Sequence, residues 1–314
     1  MPLQFVINAA SGQHDLATTR SLIETHLAAA GRSADFHLPP LGELGRTAAR
    51  AARIARLRHT AVVAVGGDGT LNAVAQAAHA EGCAMGVLPQ GTFNYFARTH
   101  GIATDLGPAL QALLAAEPVA VQLGQVNERV FLVNASLGLY PDLLQDRETY
   151  KARFGRSRLV AFGAALATLL GRHRRLRLRI EIGGKMREVS TTTLFVGNNR
   201  LQLEQVGLPL APALDQGRIA AVMLRPVGAL ALLGLLARGA MGTLGEAATL
   251  ESFSFQRLVV RPQLAWPGRS IKVAFDGEVD RLRLPLVFRV ADRPLLLLKA
   301  PGGPAATGLA QGGS

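Results

Sequence analysis

The sequence predicts an α/β fold in two parts, an N-terminal α/β domain with a mostly parallel sheet and a C-terminal antiparallel, β-rich domain. Three observations carry this. In the first third, short apolar runs are each followed by a polar loop and then a helical stretch, the pattern of parallel strands covered on both faces. From about Val119 the strands shorten and hairpin signals appear. At roughly 150 residues per domain, 314 residues also suggest two domains.

Leu3–Ile7 is the first strand, followed by a polar loop, Asn8 to Gly12, and a helix from about Asp15 to Ala30. Thr60–Val65 is the second, followed by Gly66-Gly67-Asp68-Gly69-Thr70 and a helix over LNAVAQAAHA. Ala84–Leu88 is the third, followed by Pro89-Gln90-Gly91-Thr92 and a helix near Asn94–Arg98. In parallel sheets ligands bind beyond the carboxyl ends of the strands, so the three loops converge on one rim. In the second domain, Arg175–Ile180 alternates with period 2 and meets Gly183-Gly184, a two-residue hairpin turn. Phe253–Arg261 and Ser270–Phe275 read as strands, and Leu159–Gly171 and Val227–Ala240 as helices. The domains are placed at 1–120 and 121–287, and the Gly/Ala/Pro-rich tail, 300–314, reads as disordered.

Composition narrows the function classes. Hydrophobic residues at 49% against 18% charged supply a sizeable core and exclude wholesale disorder. Aromatics at 5% argue against a stacking platform for single-stranded nucleic acid. The net charge of +12 favours anionic partners, among them nucleotide phosphates and an anionic membrane surface. With Cys83 the single cysteine, neither a disulfide framework nor a cysteine zinc site can form within the chain, which reads as a cytoplasmic protein. No basic leader precedes Arg20, and the apolar runs fall short of the roughly 18 residues that suggest a bilayer span. The chain is expected to be soluble, or peripheral to the inner face of the membrane. No nucleic-acid motif accompanies the charge, so no nucleic-acid partner is expected. The oligomeric state stays open, a homodimer included.

Gly66 to Thr70 carries the strongest chemical signal. Three glycines after a buried strand let the backbone approach a ligand, and their N–H groups and the following helix N-terminus offer donors to phosphate. Asp68 would repel phosphate unless a divalent cation stands between them, which points to Mg²⁺. The loop lacks the ending of a Walker A motif, and Asn72 takes the place of the third glycine of a dinucleotide fingerprint. An ordinary strand–helix turn is the plainer alternative. Arg172 to Arg179 is the densest basic run; it reads either as a solvated edge face or as a dock for anionic lipid headgroups.

These residues resemble the diacylglycerol kinase catalytic-domain family, which includes sphingosine kinases and bacterial lipid kinases. Asn8-Ala9-Ala10-Ser11-Gly12 is similar to its N-P-x-S-G element, Gly66 to Asn72 matches G-G-D-G-T-x-N, and Leu88 to Arg98 is similar to L-P-x-G-T-x-N-D-F-A-R. Asn134 to Gly138, Asp215-Gln216-Gly217 and Phe275-Asp276-Gly277-Glu278 follow in the family's order. The chain departs at Tyr95, where the family often has Asp, and at Ala9, where it has Pro.

The resemblance implies a nucleotide domain and a lipid domain with a cleft between them, the segment 288–299 returning to complete the first. It implies an ATP- and Mg²⁺-dependent lipid kinase of phospholipid biosynthesis that phosphorylates a hydroxyl of diacylglycerol or a similar lipid. Asn8, Ser11, Gly12, Gly66, Gly67, Gly69, Thr70, Thr92 and Asn94 would bind the nucleotide. Asp68 would organise metal and phosphates, and Asp215 matches an acidic position that holds a metal in bacterial members. Asp276 and Glu278 would supply the acid residues acting on the acceptor hydroxyl, although Asp276-Gly277 by itself reads as a hairpin turn. An NAD kinase-like enzyme and a non-catalytic nucleotide- or lipid-binding sensor are the alternatives.

Overall fold

A computed structural model describes residues 1–8, 15–138, 141, 175–263 and 270–301. Chain contacts divide it into unit 1, residues 1–123 with 291–314, and unit 2, residues 124–290.

Unit 1 is built on a six-stranded sheet in the order β2-β1-β3-β4-β18-β5. The strands are β1 (Leu3–Ile7), β2 (Ala34–His37), β3 (Ala61–Gly66), β4 (Ala84–Pro89), β5 (Glu117–Val121) and β18 (Leu295–Lys299). All pairings are parallel except that of β18 with β5. β1, β3 and nearly all of β4 are buried along their length, as wholly apolar runs require. Helices α1 (Leu16–Ala29), α2 (Leu44–Leu57), α3 (Asp68–Glu81), α4 (Tyr95–Thr99) and α5 (Leu106–Leu114) connect the strands. One core forms where Phe5, Ile7, Val63 and Leu88 of the sheet meet Ile23 and Leu27 of α1 and Leu110 and Leu113 of α5. The chain winds one way from β1 to β2 and the other way from β3 to β4. The order therefore reverses between β1 and β3, the place where such sheets form a ligand crevice.

Unit 2 contains two six-stranded antiparallel sheets, β10-β9-β14-β17-β6-β7 and β13-β12-β11-β8-β15-β16. In the first lie β6 (Gly124–Val126), β7 (Arg129–Phe131), β9 (Leu176–Ile182), β10 (Lys185–Thr191), β14 (Arg257–Pro262) and β17 (Leu286–Val290). The second holds β8 (Asn134–Gly138), β11 (Thr193–Gly197), β12 (Ile219–Leu224), β13 (Leu250–Phe255), β15 (Ser270–Phe275) and β16 (Glu278–Arg283). Phe131, Ile180, Val260 and Phe288 from one sheet share a core with Leu137, Val196, Met223 and Phe275 from the other. Helices α6 (Arg200–Gln205), α7 (Ala211–Asp215) and α8 (Ala229–Ala240) complete the unit. At four corners the chain steps from one sheet to the other with only one or two residues between strands: β7 to β8, β10 to β11, β13 to β14 and β16 to β17.

The expected Phe253–Arg261 strand is two strands, broken at Gln256, because the chain changes sheet there. Alternating hydrophobicity records which face is buried but not which sheet supplies the neighbours. The return to unit 1 begins at Ala291 rather than 288, since Phe288 lies in β17 and pairs with both β14 and β6. The Gly183-Gly184 hairpin forms with both residues at positive φ, 56° and 77°, as a primed turn demands. The Leu159–Gly171 helix and all of the tail beyond Pro301 lie outside the described residues. Among the described residues no helix is long and apolar enough to cross a membrane.

Candidate active site

In unit 1 the candidate residues gather at the carboxyl ends of β1, β3 and β4. Asn8 leaves β1 with its N–H on the Val65 carbonyl, 3.2 Å, and its Nδ2 donates to Thr70 Oγ1, 3.2 Å. The first and second loops are thus tied across the switch point. Ser11 and Gly12 lie outside the described residues. After β3, Gly67 caps α3 with extended backbone and no side-chain bond, and Asp68 opens the helix. A carboxylate in the first turn is favoured by the helix dipole.

The third loop packs against the second backbone to backbone. The Gln90 N–H donates to the Gly66 carbonyl at 2.8 Å. A Cβ added at Gly91 would stand 2.9 Å from Asn94 Oδ1 and 3.2 Å from Gly67 Cα, so only glycine allows this approach. Asn94 holds a left-handed backbone, φ 48°, and its Nδ2 donates to the Gly91 carbonyl, 2.9 Å. Its Oδ1 is buried with no hydrogen-bond partner among the described residues. A buried carbonyl oxygen left unmatched costs about 1–3 kcal/mol, which a bound donor or cation would recover. Thr92 and Asn94 line a cavity of about 680 Å³ with Gln90, Gly91, Phe93 and Arg98. Tyr95 stacks on Phe93, with ring centroids 5.8 Å apart and planes 6° from parallel.

An oxygen-rich set of this kind, Asn94 Oδ1 and the Asp68 carboxylate beside clustered glycine backbone, fits a hard cation held on phosphate rather than a metal caged by protein.

In unit 2, Asp276 does close a hairpin, at φ 49° between β15 and β16, but it is only 7% exposed. Its Oδ1 accepts the N–H groups of Val133, 2.8 Å, and Asn134, 3.0 Å, and its Oδ2 accepts that of Leu132, 2.7 Å. These three successive donors run from the β7–β8 corner into the first residue of β8, and the carboxylate fills the nest they form. Sequence reasoning missed this role because the donors lie more than 140 residues away. Asn134 Oδ1 and Ser136 Oγ, on one face of β8, are buried without hydrogen-bond partners among the described residues. Glu278 begins β16 and is exposed. Asp215 ends α7 and pairs with Arg200, whose Nη1 lies 2.7 Å from Oδ2.

Sequence comparison matches residues 2–126 to the diacylglycerol kinase catalytic domain. The chain is 38% identical over 106 residues to a probable lipid kinase YegS-like protein of Enterobacter sp. (strain 638), and 36% identical over 106 residues to the probable lipid kinase YegS of Escherichia coli O9:H4 (strain HS). Each alignment spans 32% of this chain and 36% of the relative. The fold resembles the crystal structure of a diacylglycerol kinase from Bacillus anthracis str. Sterne, with TM-score 0.66 and 18% identity over 96% of this chain and 97% of that one. The motifs and the family match therefore fall on the same stretch: residues 2–126 are similar to the diacylglycerol kinase catalytic domain.

Proposed function

We propose that the protein is an ATP- and Mg²⁺-dependent lipid kinase that transfers the γ-phosphoryl group to a hydroxyl of diacylglycerol or a similar lipid. The observation that carries this is the close approach of the glycine loops after β3 and β4, beside the strand-order reversal of unit 1, which brings Asp68 and the Asn94 Oδ1 together among glycine backbone. Backbone N–H groups of Gly66, Gly67 and Gly69 cradle the phosphates, with Asn8 and Thr70 bracing the loop and Thr92 and Asn94 lining the nucleotide cavity. Ser11 and Gly12 belong to the same loop set by motif. When bound, Mg²⁺ neutralises charge on the phosphate oxygens, and Asp68 is the residue that would hold it. An ion at Asp215 would have to displace the Arg200 guanidinium.

Phosphoryl transfer depends mostly on positioning and charge neutralisation. Three N–H donors fix the position of the Asp276 carboxylate, which suits it to orient the acceptor hydroxyl. Glu278, two residues on and exposed, is the second acid for taking the proton. Radiolabelled γ-phosphate ATP, offered with a panel of lipids in mixed micelles, tests the proposal. Label should move to a lipid in a Mg²⁺-dependent manner; label passing to NAD, or to no acceptor, would overturn it.

A further inference from the structure

We propose that unit 2 carries an anion site at its β10–β11 corner that seats the phosphate headgroup of an anionic phospholipid. A cavity of about 530 Å³ opens there, within the range of ligand sites, with Arg175, Arg187, Ser190, Thr191, Arg225 and Glu251 among its walls. It lies beside β10 and β13, the edge strands of the two sheets, at the end of the β9–β10 hairpin remote from its turn.

The frame of the cavity is rigid. Thr192 alone separates β10 from β11. Its N–H and the Thr191 hydroxyl both donate to the Leu224 carbonyl, at 2.9 and 2.7 Å. Gly138 packs so closely beneath that an added Cβ would collide with the Thr192 carbonyl. Across the opening Arg187 pairs with Glu251 and lies over the Phe253 ring, 5.6 Å from its centroid.

The charge of the cavity is positive once its pairs are removed. Glu251 is matched by Arg187, and Glu188 by Arg179 at 2.9 Å and by Gln263 Nε2 at 2.6 Å. Arg175 and Arg225 are exposed, and among the described residues neither has an ion pair. Two guanidinium forks over a polar hollow match the oxygens of a phosphate, and the Ser190 hydroxyl adds a third donor. A negatively charged bilayer presents many such groups on one plane, which suits a site at two exposed sheet edges. The choice of a membrane lipid over a free phosphate ester rests on the lipid-kinase proposal.

The test is sedimentation of the full chain with phosphatidylcholine vesicles, with and without phosphatidylglycerol. Binding should require the anionic lipid. Arg175→Gln and Arg225→Gln should each lower the partition coefficient about fivefold and the double variant about 25-fold, from ~1 kcal/mol per arginine. Arg257→Gln, which removes an exposed charge from β14, should leave binding unchanged, and the double variant should keep wild-type turnover on a dispersed short-chain diacylglycerol. An equal loss in Arg257→Gln would show general surface charge and overturn the site. Saturation by glycerol phosphate, with no preference between the two vesicle types, would overturn the lipid source. Wild-type protein that binds anionic vesicles through these arginines but turns over no lipid would refute the kinase proposal and leave the site standing.

Discussion

Asp276 and Asn134 hold each other by reciprocal hydrogen bonds: the Asn134 N–H donates to Asp276 Oδ1 at 3.0 Å, and the Asp276 N–H donates to the Asn134 carbonyl at 3.0 Å. A hairpin tip thereby locks the corner where the chain changes sheet. The same carboxylate that the motif nominates for chemistry is a structural member of unit 2.

Asp276→Asn should therefore destabilise the protein. The amide can keep the two bonds to Oδ1, but its NH₂ group then faces the Leu132 N–H, donor against donor. The cost should be about 1–3 kcal/mol, a fall of a few degrees in Tm for each kcal/mol. Calorimetry checks this. The turn interpretation alone, in which Asn-Gly serves as well as Asp-Gly, expects no change in Tm. Glu278→Gln is the cleaner probe of proton transfer, since Glu278 is exposed; as the base it should lose roughly 10²–10⁴-fold in turnover with Tm unchanged.

Gly91→Ala should weaken nucleotide binding at least tenfold while α4 stays folded. The methyl group would meet Asn94 Oδ1 and the Gly67 backbone and push the second and third loops apart. Gly45→Ala, at a helical position with open space around it, is the control and should bind normally. Titration calorimetry with a non-hydrolysable ATP analogue compares the two; equal affinities would remove the loop contact from the site.

Tyr95→Asp restores the residue common in the family and breaks the stack with Phe93. It should lower the Mg²⁺ concentration needed for half-maximal turnover. An unchanged Mg²⁺ titration would show that this site organises its cation without a carboxylate at 95.

Acid should destabilise unit 1 through His100. Burial, then the nearby Lys299 charge, lowers its pKa from 6.5 to about 4, and its ring sits edge-on to Phe96, centroids 4.7 Å apart. Between pH 6.5 and 4 the unfolded chain binds the proton and the folded chain does not. Stability is therefore whole above pH 6.5 and falls as pH drops towards 4, by at most about 1.4 kcal/mol per pH unit from this group. Urea midpoints across that window should show the slope, and His100→Gln should flatten it.

The glycine-loop side of the candidate site was legible in the sequence because it is local. Val62 to Asn72 contains a buried strand, a glycine turn and a helix start in one uninterrupted stretch, and Asp68 opens α3. The parallel sheet followed from apolar runs whose burial is complete on both faces. What escaped was set by distant backbone. The break at Gln256 and the corner nest under Asp276 depend on where a second sheet lies, and no spacing within Phe253–Arg261 or Phe275–Glu278 encodes that. Asp215 likewise reads as a lone loop acid until Arg200, 15 residues earlier, folds onto it.

The most direct test of the central claim is phosphorus NMR of ATP, Mg²⁺ and a short-chain diacylglycerol with wild-type protein and with Asp68→Ala. Asp68 lies at a helix start outside the hydrophobic cores, so the variant should lose no more than about 1 kcal/mol of stability. A lipid phosphomonoester resonance that grows with wild type, and is absent with a folded Asp68→Ala, is the predicted result. Equal growth with both proteins, or ATP consumed to inorganic phosphate with no lipid product, would contradict it.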